Sequence, residues 1–231
     1  MVIAVVGAGG KTTVGTHIGK QLAAAGRRVL FTTTTKIFMP EGDAVYLGDA
    51  ALIRADARYM VAARRLLPNG KLEGYTPEDI GTIAGLGLFD DIVAEADGAA
   101  RKPVKAPNAT EPVYPAALQL IIGVIGLDCL GQRVSDAVVH RPELFCAVTG
   151  AHPGEAITAR HIARLISHPD GLFRYDPGGA ARVVFLNKFD TMDDKTRLQA
   201  DEIIRQSPVP VMLTGNSLSW FGEFRRRFIN E

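Results

Sequence analysis

The stretch Val2-Ile3-Ala4-Val5-Val6-Gly7-Ala8-Gly9-Gly10-Lys11-Thr12-Thr13 decides the reading of this chain. A short apolar run leads into glycines, then Lys-Thr-Thr, then an amphipathic segment. That order predicts a buried strand, a tight turn and a helix over about Thr12–Ala25. Glycines let successive backbone N–H groups converge on phosphate oxygens, and a helix N-terminus adds the positive end of its dipole. In such a loop Gly7, Ala8, Gly9, Gly10, Lys11, Thr12 and Thr13 would surround a nucleotide's phosphates. Lys11 would reach the β- and γ-phosphates, and the Thr12 hydroxyl would ligate Mg²⁺. The spacing departs from the full G-x-x-x-x-G-K-[ST] pattern, because Val5 stands where the first glycine is expected. A dinucleotide fingerprint fails as well, since its third glycine would fall at Thr12.

Outward from this loop, short β-branched runs alternate with helical stretches. Strands are expected at Val2–Val6, Arg28–Thr33, Asp91–Asp97, Gln119–Ile125, Ala181–Asn187 and Val209–Thr214. Helices are expected near Pro77–Leu86, Pro142–Thr149, Ala159–Ser167, Asp193–Arg205 and Ser219–Ile229. The alternation predicts an α/β fold: a mostly parallel sheet with helices on both faces, P-loop NTPase-like, forming one nucleotide-binding domain over residues 1–231. Tyr59–Leu67 and Lys71–Tyr75 flank Asn69-Gly70, which predicts a β-hairpin inserted at about 59–75.

Composition excludes several function classes. Lys plus Arg is 26 against 25 for Asp plus Glu, so no net field favours nucleic acid or a membrane surface. No apolar run approaches the roughly 20 residues that span a bilayer. The start of the chain lacks the basic region of a signal peptide. The two cysteines, Cys129 and Cys146, form no metal-ligand or disulfide pattern. Together these features predict a soluble cytoplasmic protein.

Three other segments carry chemistry. Alternation along Ile92-Val93-Ala94-Glu95-Ala96-Asp97 puts Glu95 and Asp97 on one face at the C-terminal end of their strand. Ligands of open parallel sheets bind at that end, so either acid would hold Mg²⁺ opposite Thr12. Thr32-Thr33-Thr34-Thr35-Lys36 ends the second strand beside the loop, where Lys36 would offset charge on a transferred phosphoryl group. Asn187-Lys188-Phe189-Asp190 follows an apolar strand and matches N-K-x-D, the guanine-reading segment of many GTPases. Its aspartate would accept from guanine N1–H and N2–H₂, with Thr214-Gly215-Asn216 offering an N–H to the guanine carbonyl. Lys102 and Lys105, in a Pro-rich loop after Asp97, are expected to meet an anionic substrate, as are His140 and Arg141.

These motifs resemble the YqeC family, accessory proteins of selenium-dependent molybdenum hydroxylases. The resemblance rests on the glycine loop, the Thr-Thr-Thr-Thr-Lys turn, and Glu95-Ala96-Asp97-Gly98 with Lys105-Ala106-Pro107 and Glu111-Pro112. It continues through Gly126-Leu127-Asp128, His140-Arg141-Pro142-Glu143 and Asn187-Lys188-x-Asp190. It implies a link to maturation of a selenium/molybdenum hydroxylase cofactor, with a molybdenum hydroxylase or its maturation proteins as partners. It supplies no reaction. The loop spacing Gly-x-x-Gly-Lys-Thr-Thr is also similar to that of the Mur ligases, whose three domains this chain is too short to hold.

Three readings stand at this level. The first is a Mg²⁺-dependent triphosphatase, GTP favoured over ATP, in which Lys11, Lys36, Glu95 and Asp97 serve catalysis. The second is an ATP-dependent ligase or kinase acting on a small anionic acceptor. The third is a nucleotide-switched binding protein that docks a hydroxylase.

Overall fold

A computed structural model describes residues 1–40, 42–43 and 45–229. Its centre is an eight-stranded sheet formed by β1 (Val2–Gly7), β2 (Val29–Thr33), β3 (Val45–Leu47), β4 (Tyr59–Ala63), β5 (Asp91–Glu95), β6 (Leu120–Gly126), β7 (Ala181–Asn187) and β8 (Val211–Leu213). The spatial order is β8-β7-β6-β1-β5-β2-β4-β3, and every neighbouring pair is parallel. Strands buried on both faces should read as continuous apolar runs, and β1 and β6 do. Along β1 the side chains alternate between two cores: Ala4 and Val6 on one face, Ile3 and Val5 on the other.

Helices α1 (Lys11–Ala24) and α6 (Phe221–Phe228) cover the face of Ile3 and Val5. There Val14, Ile18 and Leu22 of α1 lie at helical spacing and are buried. Trp220 and Phe224 pack edge-on against Phe185 of β7. The opposite face carries α2 (Pro77–Gly85), α3 (Pro142–Thr149), α4 (Ala159–Ser167) and α5 (Asp194–Gln206). Helix α2 starts as its sequence promises, with Pro77 in the first turn and a Thr76–Asp79 capping box that satisfies two backbone donors. His161 belongs to packing: its Nδ1 accepts from the Thr158 N–H at the start of α4. Among the described residues no helix is long and apolar enough to cross a membrane.

The hairpin expectation needs correction. Tyr59–Ala63 is not a hairpin arm but an inner strand of the main sheet, flanked by β2 and β3. The hairpin is shorter: Arg65–Leu66 pairs antiparallel with Lys71–Glu73 around the Asn69-Gly70 turn. Lys36–Phe38 pairs on the other side of Lys71–Glu73 and completes a separate three-stranded sheet. The chain changes sheets at Arg64, whose N–H donates to Glu73 O. The edge strand β3 was not anticipated from the sequence at all.

Register places the site. Val5 lies opposite Glu95, Thr33 opposite Glu95, Gly7 opposite Val124, and Gly126 opposite Asn187. The C-terminal ends of β1, β2, β5, β6 and β7 therefore meet on one rim.

Candidate functional site

The loop after β1 is shaped by positive backbone angles that glycine alone adopts cheaply. Gly9 has φ +84°, and a Cβ there would stand 2.2 Å from Gly126 N and 2.7 Å from Pro103 O. Gly10 has φ +118° and leads into α1, with Asn187 Nδ2 only 2.5 Å from where its Cβ would be. Backbone and Asn187 are pressed against the loop on two sides. Asn187 Nδ2 donates to Gly9 O at 2.8 Å, and its Oδ1 accepts from Thr214 Oγ1 at 3.2 Å. That residue ties the loop to the ends of β7 and β8.

The loop amides divide into two groups. Gly7 N–H donates to Asp97 Oδ2, Ala8 N–H to Val124 O, and Gly9 N–H to Lys102 O. These three hold the loop in place. The first intrahelical bond runs from Val14 N–H to Gly10 O, so the Lys11, Thr12 and Thr13 amides lie ahead of it. The amides ahead of the first intrahelical bond are thus those at the start of α1, whereas the Gly7, Ala8 and Gly9 amides are already bonded within the protein.

Three side chains converge there. The Lys11 side chain is buried; its Nζ donates to Gly7 O at 2.7 Å and lies 3.1 Å from Asp97 Oδ1 and 3.5 Å from Glu95 Oε1. Burial alone would lower its pKa, but the Asp97 and Glu95 carboxylates outweigh it and raise the value. Thr12 Oγ1 donates to Glu95 Oε2 at 2.7 Å. Burial pushes the Glu95 carboxyl above the usual range, against the pull of Lys11 and the Thr12 hydroxyl. Thr12, Lys11 and Glu95 share the lining of a cavity of 360 Å³ with Gly10, Thr13 and Lys36.

Thr12 and Glu95 suit Mg²⁺, which takes one or two protein oxygens and fills its shell with water and phosphate. Asp97 departs from the expected metal-facing position. The strand ends at Glu95, and Asp97 turns inward, where Gly7 N–H and Lys105 engage Oδ2 and Lys11 lies beside Oδ1. Its part is to set the lysine and the loop.

Of the four expected substrate-binding residues, three are engaged within the protein. Lys105 is buried, not a solvated loop cation: its Nζ lies 2.8 Å from Asp97 and 2.9 Å from Glu111, and donates to Gly98 O. Arg141 Nη1 donates to Glu111 Oε2 at 2.7 Å. Lys102 Nζ donates to Ala137 O at 3.2 Å, while its backbone lines the loop cavity. His140 pairs in register with Lys105, and burial, then Arg141 and Lys105, lower its pKa. Glu111, which joins Lys105 to Arg141, carried no spacing signal that would have given it a role.

Lys188 Nζ bonds Asp128 Oδ2 at 2.6 Å, and Lys188 lines the loop cavity. Asp190 is exposed beside the loop after β8, where its Oδ2 accepts from the Asn216 N–H at 2.8 Å. Phe38 stands between the Arg101 guanidinium, 4.5 Å from its ring centre, and the Lys71 ammonium at 4.9 Å. That stack joins the 98–107 loop to the small sheet, and all three residues line the loop cavity.

With this geometry in hand, comparison with known proteins identifies the lineage. The fold is similar to a chain in the MinC:MinD cell division protein complex of Aquifex aeolicus, with a TM-score of 0.50 and 15% identity over 97% of this chain and 85% of that one. The likeness marks a P-loop NTPase-like fold. In sequence, the chain is 35% identical to the YqeC protein of Escherichia coli (strain K12), over 99% of its own length and 92% of the relative's. The family described as YqeC protein matches residues 3–143, which include the glycine loop, Glu95, Asp97, Lys105, Glu111 and Arg141. The chain belongs to the YqeC family.

Proposed function

We propose that this protein binds a nucleoside triphosphate with Mg²⁺ and hydrolyses it, GTP in preference to ATP. One observation carries the reading: the amides at the start of α1 that precede its first intrahelical bond, Lys11 and the Thr12–Glu95 pair all line one cavity at the C-terminal rim of a parallel sheet. Triphosphate oxygens take the helix amides and compete with Glu95 and Asp97 for the Lys11 ammonium. Thr12 and Glu95 would hold Mg²⁺, which would supply neutralisation of triphosphate charge when bound. Lys36, exposed on the same cavity wall, offsets charge on the departing γ-phosphoryl.

Guanine preference rests on Asp190. Its carboxylate stands at the sheet rim next to Gly215 and Asn216, and guanine would exchange the single Asn216 bond for two from N1–H and N2–H₂. The resemblance of the motifs to the YqeC family implies coupling of turnover to maturation of a selenium/molybdenum hydroxylase cofactor, with a hydroxylase or its maturation proteins as partners. The test is phosphate release by the purified protein with MgGTP and MgATP. Turnover that needs Mg²⁺ and favours GTP supports the reading, and absence of turnover with either nucleotide refutes hydrolysis.

A further inference from the structure

A second cavity, of 790 Å³, adjoins the phosphate-loop cavity. The two share Lys36, Lys71 and Gly98, so a group bound in one reaches the other past these residues. Its volume suits a small molecule. Its wall is strongly basic: Lys36, Arg64, Arg65 and Lys71 face only two carboxylates, Glu73 and Glu111. Glu111 is already held by Lys105 and Arg141, and Glu73 by Arg65 at 2.6 Å. Among the described residues, Arg64 and Lys36 have no hydrogen-bonded or ion-paired side-chain partner. Glu73 still holds these cations partly in check, its carboxyl pKa lowered by Arg65, then by Lys36 and Arg64. Four cations against two carboxylates around a concave space leave a positive excess that attracts an anion.

The cations are not on a loose loop. Lys36 and Lys71 sit on paired strands, with Lys36 opposite Glu73 and Phe38 opposite Lys71. Arg64 is fixed by its backbone bond to Glu73 O at the junction of the two sheets. The floor is the Thr33–Thr35 turn, crossed so closely by Gly74 that a Cβ there would lie 1.8 Å from Thr33 O. Gly74 N–H donates to Thr35 O and Tyr75 N–H to Thr33 O, which locks the crossing.

We propose that this basic cavity binds the acceptor for the γ-phosphoryl group, a small molecule bearing a carboxylate or phosphate. The proposal rests on triphosphate binding at the loop and puts an anionic acceptor where hydrolysis uses water. An acceptor oxygen attacks the γ-phosphorus and forms a new P–O bond. The bond from the γ-phosphorus to the β-phosphate oxygen breaks, and the nucleoside diphosphate leaves with the electron pair. An acceptor that is already anionic has no proton to lose. Lys36 and Lys71, common to both cavities, neutralise the charge brought together.

The experiment titrates citrate and inorganic phosphate separately, by calorimetry, into the parent and into Arg64→Ala/Arg65→Ala. Each titration is run on the protein alone and with the loop saturated by Mg²⁺ and a non-hydrolysable triphosphate. Both arginines are exposed and line the second cavity without lining the first, so fold and triphosphate affinity should hold. We expect the loaded parent to bind at least one probe and the double variant to bind it about tenfold more weakly or worse. Which probe binds separates a carboxylate acceptor from a phosphate acceptor. If the loaded parent binds neither probe, or the double variant binds as the parent does, the acceptor site is refuted. If the triphosphate itself fails to bind, the nucleotide reading falls instead, and the titrations on the protein alone still report on the basic cavity.

Discussion

Lys105 Nζ lies 2.8 Å from Asp97 Oδ2, and both side chains are buried at 1% exposure. Asp97 thus sits between two buried ammonium groups, since Lys11 lies 3.1 Å from its other oxygen. Removing one member of a buried charge set leaves the rest uncompensated and costs about 3–5 kcal/mol. Asp97→Asn should therefore destabilise the protein by about that amount in urea unfolding, with a clear loss in melting temperature. A change below about 1 kcal/mol would match a solvated acid at a strand end, not this network.

Gly9→Ala tests the close approach behind the loop. Its Cβ would enter a space bounded by Gly126 N at 2.2 Å and Pro103 O at 2.7 Å, at φ +84°. Strain of this kind costs on the order of 1–3 kcal/mol before the clash is counted. The variant should melt earlier and bind triphosphate more weakly, because the start of α1 must move. Parent-like melting and affinity would show that the loop has slack.

Acid should expose the Glu111 link. Burial alone would raise its pKa, but the hydrogen bond from Arg141 and the charge of Lys105 hold it down at about 2. A carboxyl depressed in the folded state contributes stability that is present above its unfolded value and lost as pH falls toward the folded value. The parent should therefore lose stability between about pH 4.5 and pH 2. Glu111→Gln should be less stable near neutrality and show a shallower fall over that window. Identical slopes for parent and variant would remove Glu111 from the account.

Much of the rim was legible because it depends on local patterns. Val2–Val6 followed by Gly-Gly-Lys-Thr announces strand, turn and helix within a dozen residues, and alternation puts Glu95 at a strand end. Other features depend on partners distant in sequence. Tyr59–Ala63 runs on into Arg64 and Arg65 without a turn residue, so the change of sheet at Arg64 is invisible in composition. Strand alternation carries to Asp97 only if the strand runs two residues beyond its actual end at Glu95. Lys105 reads as a loop cation until Asp97 and Glu111 close on it. The basic cavity collects Lys36, Arg64 and Lys71 from three short segments that only the small sheet brings together.

Asp190→Asn addresses the base. Hydrogen bonds to a charged group are worth about 1.5–3 kcal/mol each, so losing two should cut GTP affinity by orders of magnitude. The amide presents a donor, which suits the C2 carbonyl of xanthine, so XTP binding should rise while the phosphate loop still works. Competition binding with GTP, ATP and XTP checks it. A parent that prefers ATP, or a variant without the shift, would remove Asp190 from base recognition.

The most direct measurement of triphosphate binding at the start of α1 is the melting temperature of parent and Lys11→Ala with Mg²⁺ and GTP or ATP. A ligand at a hundred times its Kd stabilises the folded state by about 2.7 kcal/mol, a rise of roughly 5–10 °C for a chain of this length. The parent should show that rise, larger with GTP than with ATP. Lys11→Ala, shown to be folded by circular dichroism, should show little or none. No rise in the parent with either nucleotide, or a full rise in the variant, would contradict the account.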